Sequence, residues 1–310
     1  MRTGVLDIGS NTGHLLVVDA HRGAAPLPAY SFKEPLRLAE HLDRDGDIDR
    51  SGAAALVSFV RQAQAVAEDK GCASIIAFAT SALRDATNAD EVIGAVRDAT
   101  GVELEILSGA HEARLTFLAV RRWFGWSSGR LAVFDVGGGS LEIAAGTDES
   151  PDVVQSLPLG AARLAREHLR AQPADDEAIR GMRRRVRTQM AQDARVVLRW
   201  GDADQAVATS KTFRSLARIC GAAPSDDGPF VRRVLDRDEL ADWLPRLSKM
   251  PIDEIAGLPG VSANRAHQVL AGAVVADAVM ELFGLAGLEI CPWALREGVI
   301  LRRLDWLSRV

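Results

Sequence analysis

Apolar residues along the chain fall into two spacings. Short unbroken runs bounded by Gly, Asp or Ser read as buried strands: one ending at Asp7, then Leu15–Val18, and residues 73–80, 102–107, 131–135, 141–145, 153–157, 206–209 and 288–291. Apolar positions recurring every three to four residues predict helices over 50–70, 88–100, 112–123, 161–170, 175–200, 213–219, 239–247, 264–283 and 293–307. Gly71 and Gly101 stop the first two of these helices. Strand and helix alternate, so the chain is expected to be α/β. Gly125-Trp126-Ser127-Ser128-Gly129 reads as a hinge dividing it into domains 1–125 and 126–310, with the last helix packing back on the first.

One pattern occurs twice. Val5-Leu6-Asp7-Ile8-Gly9-Ser10-Asn11-Thr12 returns 128 residues later, 135 minus 7, as Val133-Phe134-Asp135-Val136-Gly137-Gly138-Gly139-Ser140. Each copy is a strand ending in Asp, a turn of Gly and small polar residues, and a second apolar run. Gly and hydroxyl residues let backbone N–H and O–H donors approach an anion, so the turn suits phosphate. A neighbouring Asp suits a hard divalent cation that partly neutralises that phosphate. One such turn alone is usually only a hairpin, but two predict half-sites facing each other across a cleft. No G-x-x-x-x-G-K-[ST] occurs, and neither turn leads into a helix as a dinucleotide fingerprint requires.

Composition narrows the classes. The 310 residues, 47% apolar and 25% charged, are enough for two domains with real cores. A net charge of −5 and a single Tyr argue against a nucleic-acid partner. Cys72, Cys220 and Cys291 are few and far apart, as expected of buried thiols in a reducing cytoplasm, and no signal peptide precedes the first strand. Asp277 and Glu281 interrupt the apolar stretch 269–288, which predicts a core helix and no membrane association. His14, His21, His41, His111, His168 and His267 lack zinc-ligand spacing.

Five segments come in a fixed order: Asp7–Thr12; Ala79-Thr80-Ser81-Ala82-Leu83-Arg84; residues 107–115, Leu107 to Leu115; Asp135-Val136-Gly137-Gly138-Gly139-Ser140-Leu141-Glu142; and Leu295-Arg296-Glu297-Gly298. In that order they resemble the exopolyphosphatase and guanosine pentaphosphate phosphatase (Ppx/GppA) family, part of the group that includes actin, sugar kinases and heat-shock chaperone ATPases. The resemblance implies two ribonuclease-H-like α/β domains with an active-site cleft between them, acting on a phosphate chain with Mg²⁺, or Mn²⁺ in its place. It also implies hydrolysis of the terminal phosphoanhydride of inorganic polyphosphate, with guanosine pentaphosphate (or tetraphosphate as a ligand) the alternative, and a homodimer. By matching position, Glu112 activates the attacking water. Asp7, Asp135 and Glu142 hold metal and water, with Asp135 and Glu142 counted as catalytic. Gly9, Ser10, Asn11, Thr12, Gly137, Gly138, Gly139 and Ser140 bind phosphates, and Arg84 contacts phosphate. Longer members carry a further domain resembling His-Asp phosphohydrolases; this chain has no His-Asp dipeptide, as expected of a short form. Where nucleotide-using relatives have a Gly-rich turn, this chain has Ser210-Lys211-Thr212, which argues against an ATPase or kinase.

The residue chemistry agrees with these roles. Phosphoanhydride hydrolysis needs an in-line water and charge compensation on the transferred phosphoryl group. Glu112 begins a helix after Ser108-Gly109, and a capping box would use His111 instead, so capping does not explain Glu112. Glu142 lies two positions beyond Ser140 on one strand, hence on the same face. His14 on its apolar strand reads as a packed core residue. Arg180, Arg183, Arg184, Arg185, Arg187, Arg195 and Arg199 share one helix, which reads either as a solvated face or as a cationic track for a polyanion that Arg163, Arg166 and Arg170 extend.

Overall fold

A computed structural model describes residues 2–19, 21, 25–169 and 171–307; Arg170 lies outside them. The chain forms two compact units, Met1–Leu115 with Leu295–Val310, and Thr116–Ala294. The division falls within the helix Gly109–Phe124 and again before the helix Leu295–Leu307, not at residues 125–129. That Gly-rich segment is pinned inside the second unit. Arg121, almost wholly buried, donates to the carbonyls of Gly125, Gly129 and Gly146 and to Ser128 Oγ.

The first unit is built on β1 (Arg2–Ile8), β2 (Thr12–Asp19), β3 (Pro28–Pro35), β4 (Ser74–Ala79) and β5 (Glu105–Ile106), in the order β3-β2-β1-β4-β5. Strands β1 to β3 run antiparallel, while β1, β4 and β5 run parallel. Alternation along β1 and β2 sends side chains to both faces. Leu6, Ile8, Leu15 and Val17 pack on Leu56, Phe59, Val60 and Ala63 of the helix Arg50–Asp69. On the other face Val5, Leu16, Val18 and Phe78 pack with Leu115, Val299 and Ile300. The last helix therefore completes the first unit's core.

The second unit repeats the plan with β6 (Leu131–Val136), β7 (Leu141–Gly146), β8 (Val153–Leu157), β9 (Gln205–Thr209), β10 (Val234–Asp236) and β11 (Gly287–Ile290). Its order is β10-β11-β9-β6-β7-β8. Without the edge strand β10 this is the first sheet over again, β8-β7-β6-β9-β11, with the same pattern of parallel and antiparallel neighbours. The α/β expectation of two like-folded domains holds. Phe134, Val136, Leu141 and Ile143 form its core with the helices Ala161–His168, Asp176–Trp200 and Val269–Leu282.

Helix Val269–Leu282 is buried nearly all round, as its apolar run predicts, and none of the described helices is long and apolar enough to cross a membrane. Burial pushes the Asp277 carboxyl up, opposed by the nearby Arg183 guanidinium. Arg187 ion-pairs with Glu281, so two of the helix's arginines face acids within the unit, while Arg180, Arg184, Arg185, Arg195 and Arg199 are exposed. Strands β3 and β10 lie outside the sequence expectation. Prolines bound β3 and most of its residues are exposed, and β10 has only three residues.

Candidate active site

In the first unit β1 delivers Asp7 to its carboxyl end, and the turn Gly9–Asn11 reverses the chain into β2. Gly9 N donates to Thr12 O at 3.1 Å. The turn is tied from behind: Leu36 N and Arg37 N donate to Asn11 O, and Ala39 N to Ser10 O. Ser10 Oγ lies 2.8 Å from Ser81 Oγ, which joins the turn to the segment after β4. Ser10, Asn11, Thr80 and Ser81 are all buried, a concentration of polar groups that a plain hairpin does not need.

That segment continues into Arg84, which ion-pairs with Glu112 and donates to Leu107 O at 3.1 Å. Ser108 caps the helix Gly109–Phe124 by accepting from His111 N, so His111 holds the capping position and Glu112 is left for other work. Glu112 is 7% exposed; it is not a solvated first-turn acid. Asp7, Ser10, Arg84 and Glu112 all belong to the first unit.

The second unit copies the turn. Gly137 N donates to Ser140 O at 2.9 Å, and Asp135 stands opposite Glu142 across the antiparallel ladder of β6 and β7. Opposed residues project to one face, so the two carboxylates are neighbours. Ser156 Oγ donates to Glu142 Oε1 at 3.0 Å and orients it. The start of helix Ala161–His168 braces the glycines: Ala161 N donates to Gly137 O, Arg163 N to Gly138 O, and Arg163 Nε to Gly139 O. Arg163 therefore supports the turn.

Sequence reasoning missed Gly160 as well as this role of Arg163. A Cβ at Gly160 would lie 2.3 Å from Gly139 C and 2.4 Å from Gly138 C and O. We expect Gly160→Ala to push the turn out of shape, costing about 1–3 kcal/mol. A thermal melt should show that loss, with a raised KM for any phosphate substrate.

Hard oxygen donors are the right type for a divalent cation, and Mg²⁺ commonly takes only one or two carboxylates and completes its shell with water and substrate phosphate. Among the described residues, no group of three or more His, Cys, Asp or Glu side chains is arranged to hold a metal. The pair Asp135 and Glu142 supplies two carboxylates in the second unit, and Asp7 stands at the matching place in the first.

Lys211 Nζ donates to Gly260 O at 2.9 Å, beside a cavity of about 20 Å³ lined by Thr212, Ser215 and Val261. That volume has room for a water-sized group.

Residues 17–307 match the Ppx/GppA phosphatase family. The chain is 53% identical over 305 residues to Exopolyphosphatase 1 of Mycobacterium tuberculosis (strain ATCC 25618 / H37Rv), covering 98% of this chain and 89% of the relative. Exopolyphosphatase 1 of Mycobacterium leprae is 51% identical, with 98% and 90% covered. Among solved structures, an exopolyphosphatase from Cytophaga hutchinsonii superposes with a TM-score of 0.89 at 22% identity, covering 99% of this chain and 98% of that one. The Ppx/GppA family member of Aquifex aeolicus gives 0.81 at 22%, with 100% and 98% covered. Likeness at those identities is likeness of fold, the two-domain actin-like one. The family match spans nearly the whole sequence and takes in the turn at Gly137, Glu112 and the last helix, so the chain belongs to the Ppx/GppA phosphatase family.

Proposed function

We propose that the protein is an exopolyphosphatase, hydrolysing the terminal phosphoanhydride of inorganic polyphosphate and releasing orthophosphate. The observation that carries this reading is the buried Glu112 carboxylate, held by Arg84 beside the turn Gly9–Asn11 and unexplained by capping. The 53% identity to a mycobacterial exopolyphosphatase supports the substrate.

Glu112 accepts a hydrogen bond from the attacking water and aims its oxygen at the terminal phosphorus. Because the transferred phosphoryl group is loosely bonded in the transition state, orientation counts for more than full deprotonation. The water oxygen bonds to the terminal phosphorus as the bridging P–O bond breaks; the shortened chain leaves with that bond's electron pair, and the water's proton passes by way of Glu112 to a phosphate oxygen. Arg84, already holding Glu112, has further N–H donors for a phosphate oxygen. The donors of Gly9–Thr12 and Gly137–Ser140 cradle phosphates. Asp135 and Glu142 would hold Mg²⁺, which neutralises phosphate charge when bound. That Cys72, Cys220 and Cys291 are not joined in disulfides supports the cytoplasm as the compartment.

Orthophosphate release from long polyphosphate, tripolyphosphate, guanosine pentaphosphate and ATP, measured side by side, tests the reading. Polyphosphate should give the highest kcat/KM, and faster release from either nucleotide would overturn it. Asp135→Asn should raise the Mg²⁺ concentration for half-maximal rate by about tenfold or more, since one of two carboxylate ligands is lost. A Mg²⁺ titration that overlays the wild type would make Asp135 structural.

A further inference from the structure

The repeated hairpins keep one register, and it exposes a difference between them. Opposite Asp135 stands Glu142; at the same place in the first copy, opposite Asp7, stands His14. The second copy thus pairs two carboxylates, whereas the first pairs a carboxylate with an imidazole.

A third side chain joins the first pair. Arg296 Nε lies 3.9 Å from Asp7 Oδ2, and its Nη1 lies 3.5 Å from His14 Nε2. Ser31 Oγ lies 2.8 Å from the same His14 nitrogen and fixes the ring from the other side. A guanidinium at this distance repels a divalent cation and attracts an anion. Arg296 also sits in the first turn of the helix Leu295–Leu307, the end at which the helix dipole disfavours a cation. Helix stability therefore does not account for it. Its side chain is 21% exposed and that of Asp7 22%, which leaves the pair within reach of a ligand while limiting its freedom.

We propose that Arg296 is a phosphate-binding arginine of the substrate site, that Asp7 and His14 are positioning residues aiming its guanidinium, and that the divalent cation is held through Asp135 and Glu142 without Asp7. The phosphate in this assignment rests on the polyphosphatase reading; the division of labour between Asp7 and Asp135 does not.

The test uses the full chain with Arg296→Gln, Arg296→Lys, Asp7→Asn and Asp135→Asn. Mn²⁺ binding is followed by electron paramagnetic resonance without substrate, and kcat and KM for tripolyphosphate are taken at saturating Mg²⁺. Arg296→Gln should raise KM about tenfold or more with kcat nearly kept, the loss of a charge-assisted bond made equally in ground and transition states. Arg296→Lys should recover part of it, which also separates lost charge from misfolding. Asp7→Asn should reproduce the KM rise and leave Mn²⁺ affinity within about twofold of wild type, while Asp135→Asn weakens it about tenfold. Loss of Mn²⁺ in Asp7→Asn to the extent seen in Asp135→Asn, an unchanged KM in Arg296→Gln, or Lys no better than Gln would each overturn the proposal. A wild type releasing no orthophosphate from polyphosphate would instead defeat the functional reading. Calorimetry of tripolyphosphate binding to the same variants then takes the place of KM, with the same order expected.

Discussion

Glu112→Gln is expected to lower orthophosphate release by about 10³-fold, near the middle of what a positioned base contributes. Glutamine keeps the length, shape and burial of the side chain and still offers a carbonyl oxygen to Arg84. What goes is the negative charge that draws and aligns the water. Since the loss falls on an interaction made with the reacting water, kcat should drop far more than KM changes. Stability should fall too, by about 1–3 kcal/mol, because Arg84 is left beside a neutral amide in a mostly buried setting. Single-turnover release with a thermal melt of the same sample separates the two effects. A variant retaining rates within tenfold of wild type, roughly 1.4 kcal/mol in barrier, would put water activation on another group.

Gly298→Ala is expected to cost about 3 kcal/mol, and more if the last helix detaches. A Cβ there would lie 2.0 Å from Leu115 O and 2.6 Å from Leu115 C, and both are backbone atoms that cannot swing aside. The helix must retreat from the residues just after Glu112, taking Val299 and Ile300 out of the core. Gly94 is the control. It lies inside the helix Ala89–Thr100 with nothing within 4 Å of an added Cβ, so Gly94→Ala should stabilise by about 0.5–1 kcal/mol. Denaturant unfolding of the two variants should move in opposite directions. Equal small shifts would mean that the last helix is only loosely seated.

Much of the fold could be read from the sequence because it is written in local patterns. The strand ends at Asp7 and Asp135, the glycine turns and the helix Arg50–Asp69 follow from runs and periods that a few neighbouring residues define. Strand β3 was invisible because an exposed edge carries little apolar signal, and Lys33 and Glu34 interrupt what there is. Burial of Glu112 was legible only as a failed capping box; its partner Arg84 lies 28 residues away. Gly160 carried no local sign at all, since its size limit is set by Gly138 and Gly139 after the chain has passed through two more strands. Arg296 stood in a recognised segment, yet its meaning depends on contact with Asp7 at the opposite end of the chain. Local pattern fixes elements; contacts between distant residues fix what a side chain is for.

The first unit is discontinuous, and this has a bearing on how the protein is made. Residues 116–294 all leave the ribosome before Val299 and Ile300, which cover Val5, Leu16, Val18 and Phe78. The sheet that carries Asp7 must therefore wait with one apolar face uncovered while the whole second unit is synthesised and folds. Chains cut short before the last helix lack that cover and Arg296 together. Synthesis of the last helix thus closes a core and supplies a charge at once, so that a chain without it is exposed to proteolysis and, by the assignment of Arg296, is also poor at holding phosphate.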